Sequence, residues 1–305
     1  MWQSNTVAGH LSASGGPRCR IVVIKTSGDR LADAPLSEVG GKRLFVKEIE
    51  EALLGDEIDL AVHSSKDMPA VLPDGLAIAG VLPREDPLDA VVLPADAVSV
   101  TSIDELIARF GDSPRIGTGS VRRIAQLSRI FPGARFVPIR GNLDTRLRKL
   151  DAGEYDALVL AAAGLRRLGV ARRISMALPV SACVPAPGQG IVAIEIREGD
   201  DAVGRLIAGF DDPAARAALE AERALVAALG GGCQTPIGAL ATPLAEDTIE
   251  LVAVVVALDG SRAVRGAAQG PQREAAAIGA RVAAQLIDGG ASEILADARG
   301  LTTND

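Results

Sequence analysis

Cys233 sits in Leu229-Gly-Gly-Gly-Cys-Gln-Thr-Pro-Ile-Gly238, a thiol on a run of three glycines. A lone cysteine is most often a buried, inert thiol. Three glycines before it allow close backbone approach, which suits a thiol that carries something bulky. A protease-type nucleophile fits less well. The residue follows a helix C-terminus, where the dipole disfavours a thiolate, and the chain's two histidines are His10 and His63. Such a thiol reacts best with a strong electrophile. A second candidate is Asp67, beside Lys66 in His63-Ser-Ser-Lys-Asp-Met-Pro69. A surface turn pair is the plainer reading. Its place after a short apolar strand is nevertheless where parallel α/β sheets hold ligands. A third is Gly117-Thr-Gly-Ser-Val-Arg-Arg123, a glycine-rich turn opening a helix. Free backbone N–H groups, Thr118, Ser120 and the forked donors of Arg122 and Arg123 suit a carboxylate. Each charge-assisted hydrogen bond is worth roughly 1.5–3 kcal/mol. The Lys-Ser/Thr of a phosphate loop is missing, so ATP is not implied; an ordinary capped helix is the bland alternative. Arg140-Gly-Asn142 repeats the theme, with Arg146 one turn further on.

These residues lie in a basic tract within an acidic chain. Between Arg115 and Lys149 there are eight arginines and one lysine against Asp144 alone, while the whole chain carries a net charge of -7. That contrast argues against general nucleic-acid binding and for a local site for a small anion. At 305 residues with 48% apolar content, two or three domains with real cores are expected. No apolar run reaches the roughly 18 residues of a membrane span, and Met1-Trp-Gln-Ser-Asn5 lacks signal-peptide character. The three cysteines, Cys19, Cys183 and Cys233, lack metal-like spacing, which favours a reducing cytosol and no metal site.

The elements that must position the candidates follow from periodicity. A helix is expected over 2–14, a strand over 20–25, a loop over 26–41, a helix over 41–54 and a strand over 58–62, with a polar loop from His63 to Met68. Strands are expected over 76–81 and 88–93, and a helix over 103–110. Strand and helix then alternate: 115–117, 121–130, 135–139, 143–151 and 157–161. This predicts a parallel sheet with crossover helices. The Pro/Gly-rich 178–190 reads as a hinge, and 191–196 as a strand returning to the first sheet. A helix over 211–229 has Asp212 as N-cap and Pro213 in its first turn. Runs 236–241, 248–257 and 262–269, with an Asp259-Gly260 turn, predict a small antiparallel sheet covered by a helix over 272–286. The domains expected are 1–92 with 190–209, 93–189, and 210–305.

His63-Ser-Ser-Lys-Asp-Met-Pro69, Gly117-Thr-Gly-Ser-Val-Arg-Arg123, Arg140-Gly-Asn142 with Thr145-Arg146-Leu147, Pro185-Ala-Pro-Gly-Gln-Gly190 and Gly231-Gly-Cys-Gln-Thr-Pro-Ile-Gly238 occur together and in order. So do Val39-Gly-Gly-Lys-Arg-Leu-Phe45 and Asp151-Ala-Gly-Glu-Tyr-Asp156. This set resembles the porphobilinogen deaminase (hydroxymethylbilane synthase) family from about residue 2 onward. The resemblance implies an α/β fold: two doubly wound domains like those of periplasmic binding proteins, plus a small C-terminal α+β domain. It implies a dipyrromethane cofactor linked covalently to Cys233, and a head-to-tail joining of four porphobilinogens that releases four ammonia molecules and linear hydroxymethylbilane. Asp67 matches the family aspartate that faces the pyrrole nitrogens. There a fixed carboxylate stabilises the cationic azafulvene, by roughly 4 kcal/mol at about 4 Å and an effective dielectric near 20, before desolvation. It could also pass the proton to the leaving amine. Lys66, Ser120, Arg122, Arg123 and Arg146 match positions that hold the cofactor's carboxylates; Arg140, Gln189, Thr118 and Phe45 are the implied substrate neighbours. A cytoplasmic monomer is implied, passing its product to uroporphyrinogen-III synthase, with no nucleic acid and no membrane involved.

The chain departs from the family at its start. Members begin with a strand carrying an arginine and a serine, followed by Leu-Ala-Leu-x-Gln, and Met1-Trp2-Gln3 falls where that motif ends. The expectation is a start placed within the family's reading frame. Two other readings compete: a two-domain dicarboxylate-binding protein, and an inactive truncated paralogue. Neither the Gly-Gly-Cys loop nor Asp67 after Lys66 is needed by a solute binder.

Overall fold

The computed structural model describes residues 1–27, 46–232, 234–245 and 247–302. Phe45, Cys233 and most of the loop expected over 26–41 lie outside the described residues.

Helix α1 (Trp2–Ala13) buries Val7 and Leu11 against a cluster with Leu82, Val192, Ile194 and Ile207. The strand expected over 20–25 does not form. Those residues make no ladder, and Val22 and Val23 are 45% and 70% exposed. β-branched residues favour a pleat only where a neighbouring strand supplies hydrogen bonds and cover, and no described strand lies alongside them. Helix α2 (Lys47–Leu54) seats Leu53 on Ala61 and Leu76.

Strand β1 runs Ala61–Ser64, not 58–62. His63 and Ser64 therefore belong to the strand, and a 3-10 turn, Ser65–Asp67, follows. The polar His63 is accommodated because its Nε2 lies 2.9 Å from Oε2 of buried Glu195 on the next strand. Strand β2 (Leu76–Val81) completes a three-stranded sheet with β8 (Val192–Arg197) at its centre, antiparallel to both neighbours. The register slips between Ile78 and Gly80. A Cβ on Gly80 would stand 2.3 Å from Ile207, so only glycine fits there.

The chain crosses through 82–88 into a second sheet. Its strands are β3 (Asp89–Val92), β4 (Arg115–Gly117), β5 (Arg135–Val137), β6 (Ala157–Ala161) and β7 (Met176–Ala177), in the order β5-β4-β6-β3-β7. β4 runs parallel to β5 and β6, as the alternation predicts, but β3 lies antiparallel to β6 and β7. Asp89–Val92 thus pairs in the second sheet, within the 1–92 stretch first expected in the other domain. Helix α3 (Ile103–Phe110) is capped by Ser102, whose side chain accepts from Glu105 N. Helices α4 (Val121–Leu127) and α5 (Leu143–Asp151) link the parallel strands, and Asn142 caps α5 by accepting from Thr145 N at 2.9 Å. Short helices α6 (Ala162–Arg167) and α7 (Asp201–Ala208) were not expected from the sequence; the six residues of α6 carry too few turns to show a stripe.

The chain returns through 188–191 to β8. Helix α8 (Pro213–Ala228) starts at Asp212, which accepts from Ala215 N at 2.7 Å. Strands β9 (Ile237–Ala245), β10 (Thr248–Val256) and β11 (Ala263–Pro271) form an antiparallel sheet with β10 central. Helices α9 (Ala275–Asp288) and α10 (Ala291–Thr302) follow; α10 was not expected from the sequence. The core of this third unit also takes in Met68, Val81, Ile191 and Ala193, so it packs on the first sheet. Among the described residues no helix is long and apolar enough to cross a membrane, and no cluster could hold a metal ion.

Candidate functional site

β1 and β4 both point their carboxyl ends into one cleft. Residues from all three units line it, among them Ser65, Lys66, Ser120, Arg122, Gly188 and Thr235, around some 610 Å³ of space partly open to solvent. Gly232, which precedes Cys233, lines it as well. The loop that carries the cysteine therefore borders the same space as Lys66 and Ser120.

The Ser65–Asp67 turn is held on three sides. Ser65 N donates to Ile191 O at 3.0 Å. Arg223 of α8 donates to the carbonyls of Pro69 and Ala70, each at 2.8 Å. Gly188, at φ +73°, lies so close that a Cβ would stand 3.0 Å from Lys66 N, so its position suits glycine alone. Asp67 is exposed and Lys66 is half-buried. Burial pushes the Lys66 ammonium below its ordinary pKa, with Asp67 opposing and Arg123 reinforcing the shift.

After β4, Thr118 is buried; its N donates to Val137 O at 3.1 Å and its Oγ1 accepts from Ser120 N at 3.3 Å. The turn thus folds Ser120 to the head of α4 and sends the two arginines inward. Arg122 and Arg123 are buried, 4% and 8% exposed, against Asp89. Arg122 Nη1 donates to Asp89 Oδ2 at 2.6 Å and to Val184 O at 2.8 Å. Arg123 donates through Nε to Asp89 Oδ1 at 2.9 Å and through Nη1 to Val159 O at 2.9 Å. Burial alone would raise the Asp89 carboxyl, but the two guanidiniums and the hydrogen bonds from Arg122 and Gln189 hold it well below the usual carboxylate range. Arg122 Nε is buried with no hydrogen-bond partner, a donor left for something in the cleft.

Arg146 and Arg140 are half-buried on the same side. Burial lowers Arg146 below its ordinary range, and the charges of Arg123 and Arg140 lower it further. Cations that depress one another in this way are relieved by an anion placed among them. Gln189 is buried behind Arg123, donating to Pro87 O at 2.6 Å and to Asp89 Oδ1 at 3.0 Å.

The structure thus brings Lys66, Ser120 and Arg122 to the cleft wall, and places Arg123, Gln189 and Thr118 behind it. Several residues of the framework were not foreseen: Asp89, Arg84, Glu195, Glu222 and Arg223. Glu222 is fully buried and accepts from Arg84 Nη1 at 2.6 Å, Gly188 N at 2.5 Å and Ala241 N at 2.7 Å. Their signal was present as carboxylates inside apolar runs: Asp89 in Leu88-Asp-Ala-Val-Val92, Glu195 in Ile191-Val-Ala-Ile-Glu-Ile196. A charge in such a run needs a buried partner.

Facing α/β units across a cation-lined cleft, with a third unit bringing a cysteine loop to its edge, are the class of protein this geometry defines. Comparison with known families agrees. "Porphobilinogen deaminase, dipyromethane cofactor binding domain" matches residues 1–205 and "Porphobilinogen deaminase, C-terminal domain" matches 217–288. A porphobilinogen deaminase of Geobacter metallireducens is 44% identical over 301 residues, 97% of this chain and 91% of the relative. One from Roseiflexus castenholzii is 47% identical over 273 residues (90% and 87%), and one from Chromobacterium violaceum 46% over 298 (97% and 93%). The chain belongs to the porphobilinogen deaminase family.

Proposed function

We propose that this chain joins four porphobilinogens head to tail, consuming one water and releasing four ammonia molecules and linear hydroxymethylbilane, with the dipyrromethane cofactor on Cys233. One observation carries this reading: Gly232 and Thr235, on either side of that cysteine, line the same cleft as Lys66, Ser120 and Arg122. A group bearing several carboxylates fits a cleft lined by the cations of Lys66 and Arg122, with an unspent buried donor on Arg122 and with Arg146 close to Arg123 and Arg140. When bound, the dipyrromethane supplies the pyrrole carbon to which the chain is extended. Ser120, Lys66, Arg122 and Arg146 hold its acetate and propionate groups and Arg140 and Phe45 adjoin the incoming substrate, while Arg123, Gln189 and Thr118, first expected at the cofactor and substrate, support that wall from behind.

Asp67 does the chemistry in this reading. As the aminomethyl nitrogen leaves, positive charge develops on the substrate, and the fixed carboxylate stabilises it. The same carboxyl hands a proton to the departing amine. Residues 1–88 with 188–209, 89–187 and 210–305 form the three working units. The protein works as a monomer in the cytosol and passes its product to uroporphyrinogen-III synthase; three cysteines without disulfide or metal-like spacing support the reducing compartment.

The test is the intact mass of the denatured chain. A mass excess of two linked pyrrole units, absent from Cys233→Ser, is the expected result. An unmodified mass in a chain that also fails to consume porphobilinogen would overturn the reading.

A further inference from the structure

Asp89 is the most heavily engaged carboxylate that the reaction above leaves unused. It is the first residue of β3, where the chain coming from the first sheet enters the second. Its Oδ1 accepts from Arg123 Nε at 2.9 Å, Arg122 Nη2 at 3.2 Å and Gln189 Nε2 at 3.0 Å. Its Oδ2 accepts from Arg122 Nη1 at 2.6 Å and from the Cys183 thiol at 3.3 Å. Gln189 lies on the return crossing and also donates to Pro87 O on the outgoing one. One side chain therefore ties both crossings to both arginines.

A carboxylate that served only to neutralise a buried charge would need one arginine. Asp89 takes two, and the pair still leaves a net positive charge beside Lys66. Its grip also decides which donors remain. Arg122 gives both terminal nitrogens to the protein, yet its Nε has no partner and the residue lines the cleft. Arg123 is spent on Asp89, Val159 O and Gln189. The cleft wall therefore holds Arg122 in one fixed orientation, backed by an immobilised Arg123, where two loose forks would otherwise stand.

We propose that Asp89 is a positioning residue for chain growth: it fixes the Arg122 and Arg123 guanidiniums and locks their orientation to the two crossings, so the carboxylate-holding wall keeps its geometry as successive pyrroles are added. This rests on the deaminase reading. Asp89→Asn keeps the shape and removes the charge. Three quantities are read on the purified full chain: intact mass, kcat and KM for porphobilinogen, and the distribution of enzyme-bound chain lengths by native mass spectrometry. Partners that orient a functional side chain typically cost about 10–100-fold when removed. The expected result is a folded, cofactor-loaded variant whose kcat falls about tenfold or more, whose KM moves by less than about threefold, and whose intermediates pile up at one length. A loaded variant with native kcat and a native distribution, even if it melts earlier, overturns the proposal, because that is the behaviour of a purely structural pair. If Asp89→Asn does not fold, Gln189→Met decides. It keeps the bulk and removes one donor to Asp89; the same redistribution with a smaller loss of kcat supports positioning, and native behaviour overturns it. If the unsubstituted chain neither carries the cofactor nor consumes porphobilinogen, the deaminase reading fails and takes this inference with it. If the unsubstituted chain is active and both variants match it, only the inference fails.

Discussion

The two larger sheets repeat one arrangement and then part company. In each, a strand that has just crossed from the other unit lies antiparallel between two strands that run parallel to each other. β8 sits so between β1 and β2, and β3 between β6 and β7. Beyond β6 the second sheet continues to β4 and β5. Beyond β1, among the described residues, the first sheet has no further strand. The contrast is sharpest in two apolar segments. Leu158, Val159 and Leu160 of β6 are covered on both faces, whereas Val22 and Val23, in a segment richer in β-branched residues, lie open and unladdered. Composition made both eligible to be strands; only the one with neighbours became one. The same division separates the chemistry. The first sheet ends in the carboxylate Asp67, and the second in the cations that would hold the substrate's anions.

The largest expected difference is in stability. Leu158→Ala in the fully covered strand should cost about 2–5 kcal/mol in denaturant unfolding, while Val23→Ala should stay within about 0.5 kcal/mol. A comparable cost for Val23 would mean that 20–25 is part of a packed layer in solution. Next is catalysis. Asp67→Asn should lower kcat about 10²–10³-fold, and Ser120→Ala only severalfold, because its neighbours also hold carboxylates. Equal losses in steady-state porphobilinogen consumption would erase the split between a reacting sheet and an anchoring sheet. The smallest effect is in hydrogen exchange. The β1 amides turned away from β8 should exchange about tenfold faster than those of β6, which is bonded on both sides. Matching protection would show that the outer edge of β1 is covered in solution.

Much of this was legible in the residues. The alternation from Arg115 to Ala161, the Asp212-Pro213 start of α8 and the Asp259-Gly260 turn each rest on local chemistry, and each is where local rules placed it. Gly260 indeed adopts φ +76°. What failed depends on distant partners. The end of β1 was set too early because His63 reads as a loop residue until Glu195, far along the chain, is found beside it. Likewise Arg122 and Arg123 read as open forks for a ligand, and nothing nearby in the sequence announces that Asp89 takes most of their donors. Residues 162–167 are too short for periodicity to speak, whereas Ala291, Ile294, Leu295 and Ala298 form a helical stripe that the sequence does carry.

Glu222 has a consequence for motion. The points that move least when two bodies turn about a joint are those on the joint itself. Glu222 belongs to the third unit, yet it grips Arg84 on one crossing and Gly188 on the other. The third unit is thus fastened at the axle as well as along the first sheet, where Arg216 and Arg223 of α8 hold the carbonyls of Ala79, Pro69 and Ala70. If the two sheets swing apart to admit a longer chain, the third unit travels with the first sheet while Glu222 keeps it seated at the pivot. The opening is then a parting of two bodies, not three.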